Sequence, residues 1–331
     1  MANLAQIQEI FWSLVDPWQF MYLAASWFPG TVVRLIRDRK FGVLFSPSQL
    51  KDIWFSNFWD WFSPNLRQNA GVRVIPLLEG RTTGGLIVEE PVGPGIGGTV
   101  LELGAGNGNW VDIFSDKHLQ SSQTDGVAAT AEGSSGIEAT EATATTTATH
   151  RGGGGGGEKK EAKKKSAREP VTRVWGVEPN RDQHAGLRRK IKQAGLEGVY
   201  EIVPVGIEDL NNPAKWDGQV EKGSVDCIVS ILCLCSIPEP RDNIRELYSY
   251  LKKGGRWYVY EHVRRDEGWG MRAYQGFVNL FWPHFLGGCQ LCRPTEQWLR
   301  EAGPWEKVDV GHPLEEQWHH TLPHILGVFT K

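Results

Sequence analysis

The segment VLELGAGNGNW, residues 100–110, has the pattern of a buried strand that runs into a glycine turn. In a βαβ nucleotide-binding unit, an acidic residue ends the next strand about 20 residues after this turn and binds ribose hydroxyls. Glu178 ends the strand-like segment VTRVWGVEPN, but it lies much farther than that from Gly108. Removing residues 120–169 restores the ordinary spacing. The sequence therefore predicts a nucleotide-binding unit that carries an insertion.

The insertion has a low-complexity composition. It contains a Ser/Thr/Ala/Glu-rich half, six consecutive glycines at 152–157 and the tract EKKEAKKK. Such a sequence buries too little apolar surface to order itself, so we predict a disordered loop over residues 120–169. A junction between a helix and the next strand lies at the amino edge of the sheet, whereas ligands bind outside the carboxyl edge. A basic tether for acidic lipid, or a phosphorylated Ser/Thr tract, is the functional alternative.

The glycine turn itself narrows the class of ligand. Gly104, Gly106 and Gly108 fit the pattern G-x-G-x-G and not the dinucleotide pattern G-x-G-x-x-G. Residues without a Cβ let the backbone approach a ligand closely. Glu102 ends the preceding strand with a carboxylate, which suits a cationic group such as an ammonium. Together with Glu178, this turn predicts a nucleotide-type ligand that carries a positive charge.

Strands and helices alternate along the rest of the chain, which predicts a mostly parallel sheet. We expect a helix over residues 242–252, stopped by Gly254 and Gly255. The predicted strands cover residues 201–210, 223–237 and 256–263, with a terminal pair at 305–311 and 324–331.

Five segments together resemble the class I S-adenosylmethionine-dependent methyltransferases: LELGAGNG, VEPN, GSVDCIVSILCLCSI, LKKGGRWYVYEHV and FWPHFLGGCQL. Within that class they are most similar to the methyltransferase-like-seven group of membrane-associated alkyl-thiol methyltransferases. The resemblance covers about residues 20–331 apart from the insertion. It implies an α/β fold with a Rossmann-like sheet, mostly parallel with an antiparallel last strand, and helices on both faces. It also implies S-adenosylmethionine as the cofactor.

The resemblance implies a set of cofactor-binding residues as well. Many relatives carry an aspartate for the adenine amino group where Gly206 stands here, so the adenine contacts fall to its neighbours. The predicted cofactor-binding residues are Glu102, Gly104, Ala105, Gly106, Gly108, Glu178, Asn180, Ile207, Glu208, Asp209, Leu232 and Cys233.

Segments that leave the fourth and fifth strands, at residues 233–236 and 261–262, should surround the methyl acceptor, because they face the donor across the sheet edge. His262 and His284 are the candidate bases, since imidazole titrates near neutral pH, and Glu261 is a third catalytic candidate or a loop anchor. The pair His319-His320 is a weaker candidate. An aromatic run either lines the acceptor pocket or only covers the sheet; it comprises Trp269, Tyr274, Phe277, Phe281, Trp282, His284 and Phe285.

Two cysteine pairs raise the question of a metal site. Cys289-x-x-Cys292 has a zinc-ligand spacing, but a strand-borne Cys233-x-Cys235 is an unusual partner for it. Cysteines also serve as small buried hydrophobes, and class I methyl transfer requires no metal. We therefore predict free thiols and no metal.

The N-terminal part of the chain, 1–80, is predicted to form a separate segment before a methyltransferase domain at 81–331. Six of the 15 tryptophans lie at or before Trp61, and positions 17–33 carry no charge. This run is too short to span a bilayer, but aromatic rings followed by Arg34, Arg37, Arg39 and Lys40 suit a membrane interface. A cap packed on the catalytic domain fits the pattern equally well.

Net charge and cysteine content indicate which partners and which cellular compartment to expect. A net charge of −3 without a basic stripe argues against a nucleic-acid partner. Five cysteines without a signal-peptide pattern predict an intracellular location. The resemblance adds the surface of the endoplasmic reticulum or of lipid droplets, and the alternative is the cytoplasm. No oligomeric state is predicted.

These observations predict methyl transfer from S-adenosylmethionine to a small lipophilic acceptor. A thiol is favoured because part of it is already thiolate at neutral pH, so no strong base is needed. An O-, N- or C-methyltransferase of a small natural product is the enzymatic alternative, and a phenol acceptor would benefit more from a histidine base. A non-catalytic binding protein is disfavoured because Glu102, the three glycines and Glu178 are all present.

Overall fold

The computed structural model describes residues 4–115 and 169–331, which belong to one compact unit. All of the predicted insertion except Glu169 lies outside the described residues. The strands are β1 (Thr82–Thr83), β2 (Leu86–Ile87), β3 (Gly98–Leu103), β4 (Val171–Val177), β5 (Tyr200–Val203), β6 (Val225–Ile231), β7 (Leu251–His262), β8 (Lys307–Gly311) and β9 (His324–Thr330).

Seven of these strands form one sheet in the order β5-β4-β3-β6-β7-β9-β8, and β1 pairs with β2 in a small hairpin. The five strands from β3 to β7 are parallel, whereas β9 runs antiparallel to both β7 and β8. The predicted fold class, including the antiparallel last strand, is confirmed.

The strand register brings three chain segments to one edge. Leu103, the last residue of β3, lies beside Val177 of β4 and Ser230 of β6. The chain therefore leaves all three strands at the same carboxyl edge, on either side of the point where the strand order reverses. Ligands of open α/β sheets bind in the crevice at such a point.

The extents of several elements differ from the prediction. The helix at Pro240–Tyr250 ends earlier than expected, and β7 begins directly at Leu251. Gly254 and Gly255 lie inside β7, where the register against β6 shifts and Gly254 adopts a φ of 77°. β5 ends at Val203, and the segment after the glycine turn is a short 3₁₀ turn at Val111–Phe114.

Helices cover both faces of the sheet. Alternate side chains of β3 and β4 enter two separate cores, one with Leu101 and Trp175 and the other with Val100 and Val174. The helices are α1 (Leu4–Ser26), α2 (Phe28–Arg37), α3 (Phe41–Leu44), α4 (Pro47–Leu78), α5 (His184–Ala194), α6 (Pro240–Tyr250), α7 (Trp269–Asn279), α8 (Trp282–Phe285) and α9 (Thr295–Glu301).

The N-terminal helices pack against the rest of the domain. Met21 of α1 and Phe58 of α4 share a buried cluster with Val278 of α7 and Trp282 of α8. The Trp18 indole N–H also donates to the Tyr274 hydroxyl at 2.8 Å. Within the two described stretches, no helix is both long enough and apolar enough to cross a membrane.

Candidate functional site

A cavity of about 810 Å³ lies at the carboxyl edge of the sheet. Its walls come from the glycine turn after β3, from the segments after β4, β5 and β6, and from the end of β7. Helices α1 and α4 and the turn after α8 complete the enclosure. Eight of the twelve predicted cofactor-binding residues line this cavity: Gly104, Gly106, Glu178, Asn180, Ile207, Glu208, Leu232 and Cys233.

The glycine turn and Glu178 form one hydrogen-bonded unit. The Glu178 carboxylate accepts the backbone N–H of Gly106 through Oε2 and that of Asn180 through Oε1, each at 2.8 Å. Burial raises the pKa of Glu178, and these two N–H groups partly offset the rise. Each oxygen keeps a lone pair, so the carboxylate can also accept ligand hydroxyls.

The glycines have different roles in the turn. Gly104, Gly106 and Gly108 all have positive φ, which disfavours other residues. A Cβ on Gly106 would extend into the cavity, where the nearest side-chain atom is Trp59 Nε1 at 3.6 Å. A Cβ on Gly108 would instead lie 2.9 Å from Lys190 Cβ, so this glycine allows α5 to pack and does not line the cavity. Ala105 is also buried outside the cavity wall.

Glu102 lies behind the cavity wall, which departs from the predicted contact with a cationic ligand. It is 2% exposed, and its Oε2 accepts a hydrogen bond from the Tyr200 hydroxyl. Burial raises the pKa of Glu102 to about 8. Its Oε1 has no hydrogen-bond partner among the described residues. The side chain of a strand's penultimate residue points away from the ligand edge here, because Leu103 takes the lining position.

The segment after β5 forms the part of the cavity wall that was predicted to contact the adenine of the donor. A Cβ on Gly206 would overlap a Glu208 carboxylate oxygen, so Glu208 occupies the space that an aspartate side chain would need. Ile207 and Glu208 line the cavity, and Asp209 does not. The Asp209 carboxylate instead accepts the side-chain N–H of Asn212 at 3.2 Å.

Glu261 is a loop anchor and does not line the cavity. It is fully buried, and its carboxylate accepts the backbone N–H groups of Cys233 and Leu234 at 3.2 and 3.1 Å. Burial raises the pKa of Glu261 to about 7. These bonds hold the loop after β6, in which Leu232 has a φ of 54°. Glu261 therefore fixes a strained turn beside the cavity, which fits the predicted loop anchor, and its carboxylate does not line the cavity as a catalytic group would.

His262 lines the cavity, but His284 does not. His284 is exposed on the short helix α8. The pair His319-His320 also lies outside the cavity wall, and His319 Nε2 is 4.0 Å from a Glu9 carboxylate oxygen. Of the predicted aromatic run, Trp282 lines the cavity.

Cys235 lies beside His262, as the predicted acceptor segment 233–236 implied, whereas His324 and Cys289 were missed as residues of the acceptor site. His324, the first residue of β9, lies with its ring centroid 4.6 Å from that of His262. Its Nδ1 is 2.5 Å from Glu316 Oε1, and burial lowers the pKa of His324 to about 4, so its imidazole is neutral at pH 7. Cys235 and Cys289 adjoin His262 on the cavity wall. His324 begins the predicted terminal strand at 324–331, but nothing in that segment marked it as a site residue.

The N-terminal helices also line the cavity, although the sequence named none of their residues as site residues. Their lining residues are aromatic, aliphatic and polar in similar numbers: Asp16, Pro17, Gln19, Phe20, Leu23, Asp52, Phe55, Trp59, Phe62, Leu66, Asn69, Ala70 and Arg73. Helices α1 and α4 therefore cover part of the cavity.

Residues 90–303 match the model of a methyltransferase-domain family, and the chain belongs to that family. The match covers most of the described catalytic domain, including the glycine turn, Glu178 and the cavity wall after β6. S-adenosylmethionine is the methyl donor that this family uses, which confirms the predicted cofactor.

More specific similarity is to curated thiol S-methyltransferases. The chain is 33% identical to human thiol S-methyltransferase TMT1B over 162 residues, which are 49% of this chain and 64% of that protein. It is 33% identical to human thiol S-methyltransferase TMT1A over 165 residues, again 49% and 64% of the two chains. The chain thus spans less than two thirds of the length of these relatives. A solved structure of geranyl diphosphate methyltransferase in complex with SAM is 13% identical, with a TM-score of 0.42, and the match covers 80% of this chain and 84% of that one.

The residues present fit this donor. Gly106 leaves a gap that a side chain would fill, and Glu178 presents a buried carboxylate at the same place. S-adenosylmethionine supplies a sulfonium methyl group that is already activated for displacement. Gly104 and Gly106 would border its methionine and ribose, Glu178 would accept the ribose hydroxyls, and Ile207 and Glu208 would border the adenine.

Proposed function

We propose that the protein transfers a methyl group from S-adenosylmethionine to the sulfur of a small lipophilic thiol. The observation that carries this proposal is the continuity of the cavity. The donor residues Gly106 and Glu178 share one cavity with a second end at Cys235 and Cys289. The similarity to proteins named thiol S-methyltransferases supports sulfur as the accepting atom.

The cavity wall favours a lipophilic acceptor. Phe20, Phe55 and Trp59 face the cavity from the N-terminal helices, and Trp282 and Leu286 face it from α8 and the residue after it. Methyl transfer from a sulfonium is an in-line displacement, so alignment in a water-poor pocket contributes most of the acceleration. These aromatic and aliphatic side chains would serve both needs at the part of the cavity that they line.

The experiment is a transfer assay with isotopically labelled donor and a matched panel of thiols, phenols and amines of the same alkyl length. We expect label on the sulfur of the lipophilic thiols and faster transfer as the alkyl chain lengthens. Transfer to the phenols or amines but not to the thiols would contradict the proposal and favour an O- or N-methyltransferase. Donor binding without transfer to any acceptor would favour a binding protein.

We also propose that the N-terminal segment attaches the protein to a membrane surface. Phe11, Tyr22 and Val33 are exposed on α1 and α2, and Leu280 is exposed at the end of α7. Trp18 joins these helices through ring contacts with Phe277 and Phe281. Exposed aromatic and aliphatic side chains on neighbouring helices, beside exposed arginines, suit insertion into the headgroup region.

Flotation with vesicles that contain anionic lipid tests the membrane proposal. We expect the full chain to float, and a variant with Phe11→Ser, Tyr22→Ser and Val33→Ser to float less. Val308→Ser is the matched control, because Val308 is exposed on the edge strand β8 and far along the chain from these helices. Equal flotation of the triple variant and the parent would contradict the proposal. A surface of the endoplasmic reticulum or of lipid droplets remains the proposed location.

A further inference from the structure

Three metal-ligating side chains from separate segments meet on the cavity wall. Cys235 lies in the loop after β6, His262 ends β7, and Cys289 follows α8. One ligand atom from each residue lies within 4.8 Å of the other two, and Cys289 Sγ is 3.6 Å from His262 Nδ1. The cluster contains Cys235 from the pair Cys233-x-Cys235 and Cys289 from the pair Cys289-x-x-Cys292. The spacing within each pair therefore gave no indication of the cluster.

The distance from Cys289 Sγ to His262 Nδ1, which is that of a hydrogen bond between them, also suits two ligands of one zinc ion. Zn–S bonds of about 2.3 Å and Zn–N bonds of about 2.0 Å at tetrahedral angles place the sulfur and nitrogen about 3.6 Å apart. The same geometry places two zinc-bound sulfurs about 3.8 Å apart. The Sγ atoms of Cys235 and Cys289 lie within 4.8 Å of each other, so a small movement of their side chains would give this distance.

The backbone holds the ligand-bearing segments together without any metal. The Gln290 N–H donates to the Cys235 carbonyl at 2.9 Å. Arg293 Nη1 donates to the carbonyls of Leu234 and Ile237 at 2.7 and 2.8 Å, which flank Cys235. The segments that carry Cys235 and Cys289 are therefore already held together, which reduces the entropy lost when a metal binds.

We infer that Cys235, His262 and Cys289 bind a zinc ion whose fourth position faces the cavity and takes the sulfur of the methyl acceptor. Three protein ligands and one open position are the pattern of reactive zinc sites, whereas structural zinc sites have four protein ligands. All three residues line the cavity, so the open position is reached by the same space that the acceptor occupies. This inference rests on the proposed function.

The site would determine which form of the acceptor reacts. A zinc-bound thiol loses its proton to solvent, and its sulfur becomes a thiolate ligand. The thiolate electron pair forms the new bond to the methyl carbon. The bond from that carbon to the donor sulfonium breaks, and its electron pair stays on the donor sulfur, which becomes a neutral thioether. The methylated product is also a neutral thioether, a weaker ligand than the thiolate, so it leaves the metal.

Metal content tests the site without any acceptor. The tag-free full chain, reduced and loaded with zinc and then dialysed, should retain about one zinc per chain by mass spectrometry of the elements. Cys235→Ser, His262→Ala and Cys289→Ser should each lose it. Cys292→Ser is the matched control, because Cys292 is half-buried, close to Cys289 in sequence, and does not line the cavity. Calorimetric binding of S-adenosylmethionine verifies that each variant is folded.

Absence of zinc from the reduced, donor-binding parent would overturn the inference, as would equal loss in Cys292→Ser and Cys289→Ser. Replacement of zinc by cobalt then tests the open position. The sulfur-to-cobalt absorption should change when an alkyl thiol is added without donor, and an unchanged spectrum would overturn acceptor ligation. If the thiol changes the spectrum but receives no label from the donor, the metal site stands and the proposed function fails.

Discussion

The Glu178 carboxylate accepts the backbone N–H of Gly106 at 2.8 Å, across 72 residues of sequence. This bond joins the two elements predicted to hold the methyl donor, the glycine turn after β3 and the acidic residue after β4. A change in either element would therefore disturb the other. A carboxylate that already orients the turn presents its remaining lone pairs in a fixed direction.

Replacement of Glu178 by alanine should therefore weaken the binding of S-adenosylmethionine. The loss of hydrogen bonds to a charged group costs about 1.5 to 3 kcal/mol, or roughly ten- to more than a hundredfold in affinity. Isothermal titration calorimetry measures this. Glu201→Ala is the control, since Glu201 is a partly exposed carboxylate on β5 that pairs with Arg173. Parent-like affinity in the Glu178 variant would refute the assignment of the ribose site.

Glu208 and Asp209 provide a second matched pair. Glu208 lines the cavity beside Gly206, whereas Asp209 bonds to Asn212 outside it. We expect Glu208→Ala to reduce donor affinity several-fold to about tenfold, consistent with one lost hydrogen bond of roughly 1 kcal/mol. Asp209→Ala should leave the affinity unchanged. The opposite order in the two dissociation constants would show that the adenine lies elsewhere.

The sequence predicted the sheet well because strand patterns and turn residues are local. The register that places Leu103 beside Val177 and Ser230 follows from parallel pairing of strands whose positions were correctly identified. The spacing from Gly108 to Glu178 remained informative once the insertion was set aside. Element ends were less accurate, because the register shift in β7 that accommodates Gly254 depends on its neighbour β6.

Sequence patterns could not predict which residues line the cavity. Trp59 lines the cavity, but nothing in its neighbourhood distinguishes it from an aromatic residue that only packs, such as Phe58. Cys235, His262 and Cys289 meet because three connections end at the same place, and no spacing along the chain encodes that. The side chain of Glu102 was assigned to the ligand edge from its type, but the strand alternation turns it toward Tyr200.

The buried Glu102 should make stability depend on pH. Its pKa in the folded state is about 8, well above the ordinary value of 4.5, because burial disfavours the charged form. The stabilising contribution of protonated Glu102 is therefore complete below pH 4.5 and is lost as the pH rises through 8. Glu102→Gln removes this titration and still offers an oxygen to Tyr200.

Chemical denaturation from pH 5 to 9 measures the effect. The free energy of unfolding of the parent should fall relative to that of Glu102→Gln as the pH rises, by at most about 5 kcal/mol at 1.36 kcal/mol per pKa unit. Glu201→Gln should keep the pH dependence of the parent, because Glu201 is partly exposed. A constant difference between the parent and Glu102→Gln across this range would show that Glu102 is ionised in the folded protein.

The chain re-enters the sheet after the predicted insertion at the edge opposite the donor. Glu169 packs beside Gly97, and the Gly98 N–H donates to the Pro170 carbonyl at 3.0 Å. Gly98 begins β3, whereas the ligand turn begins at Gly104, after the strand has ended. The junction therefore lies at the amino edge of the sheet, a full strand length away from the glycine turn.

Deletion of residues 120–169, with the ends joined by a short Gly/Ser linker, should leave donor affinity and turnover within about twofold of the parent, because the junction lies away from the cavity. Closing a longer loop costs free energy only slowly with its length, so shortening it should not destabilise the fold. Calorimetry with S-adenosylmethionine and thermal unfolding are measured on the same variant. A deletion variant that unfolds cooperatively at the temperature of the parent but no longer binds the donor would place part of the segment at the site.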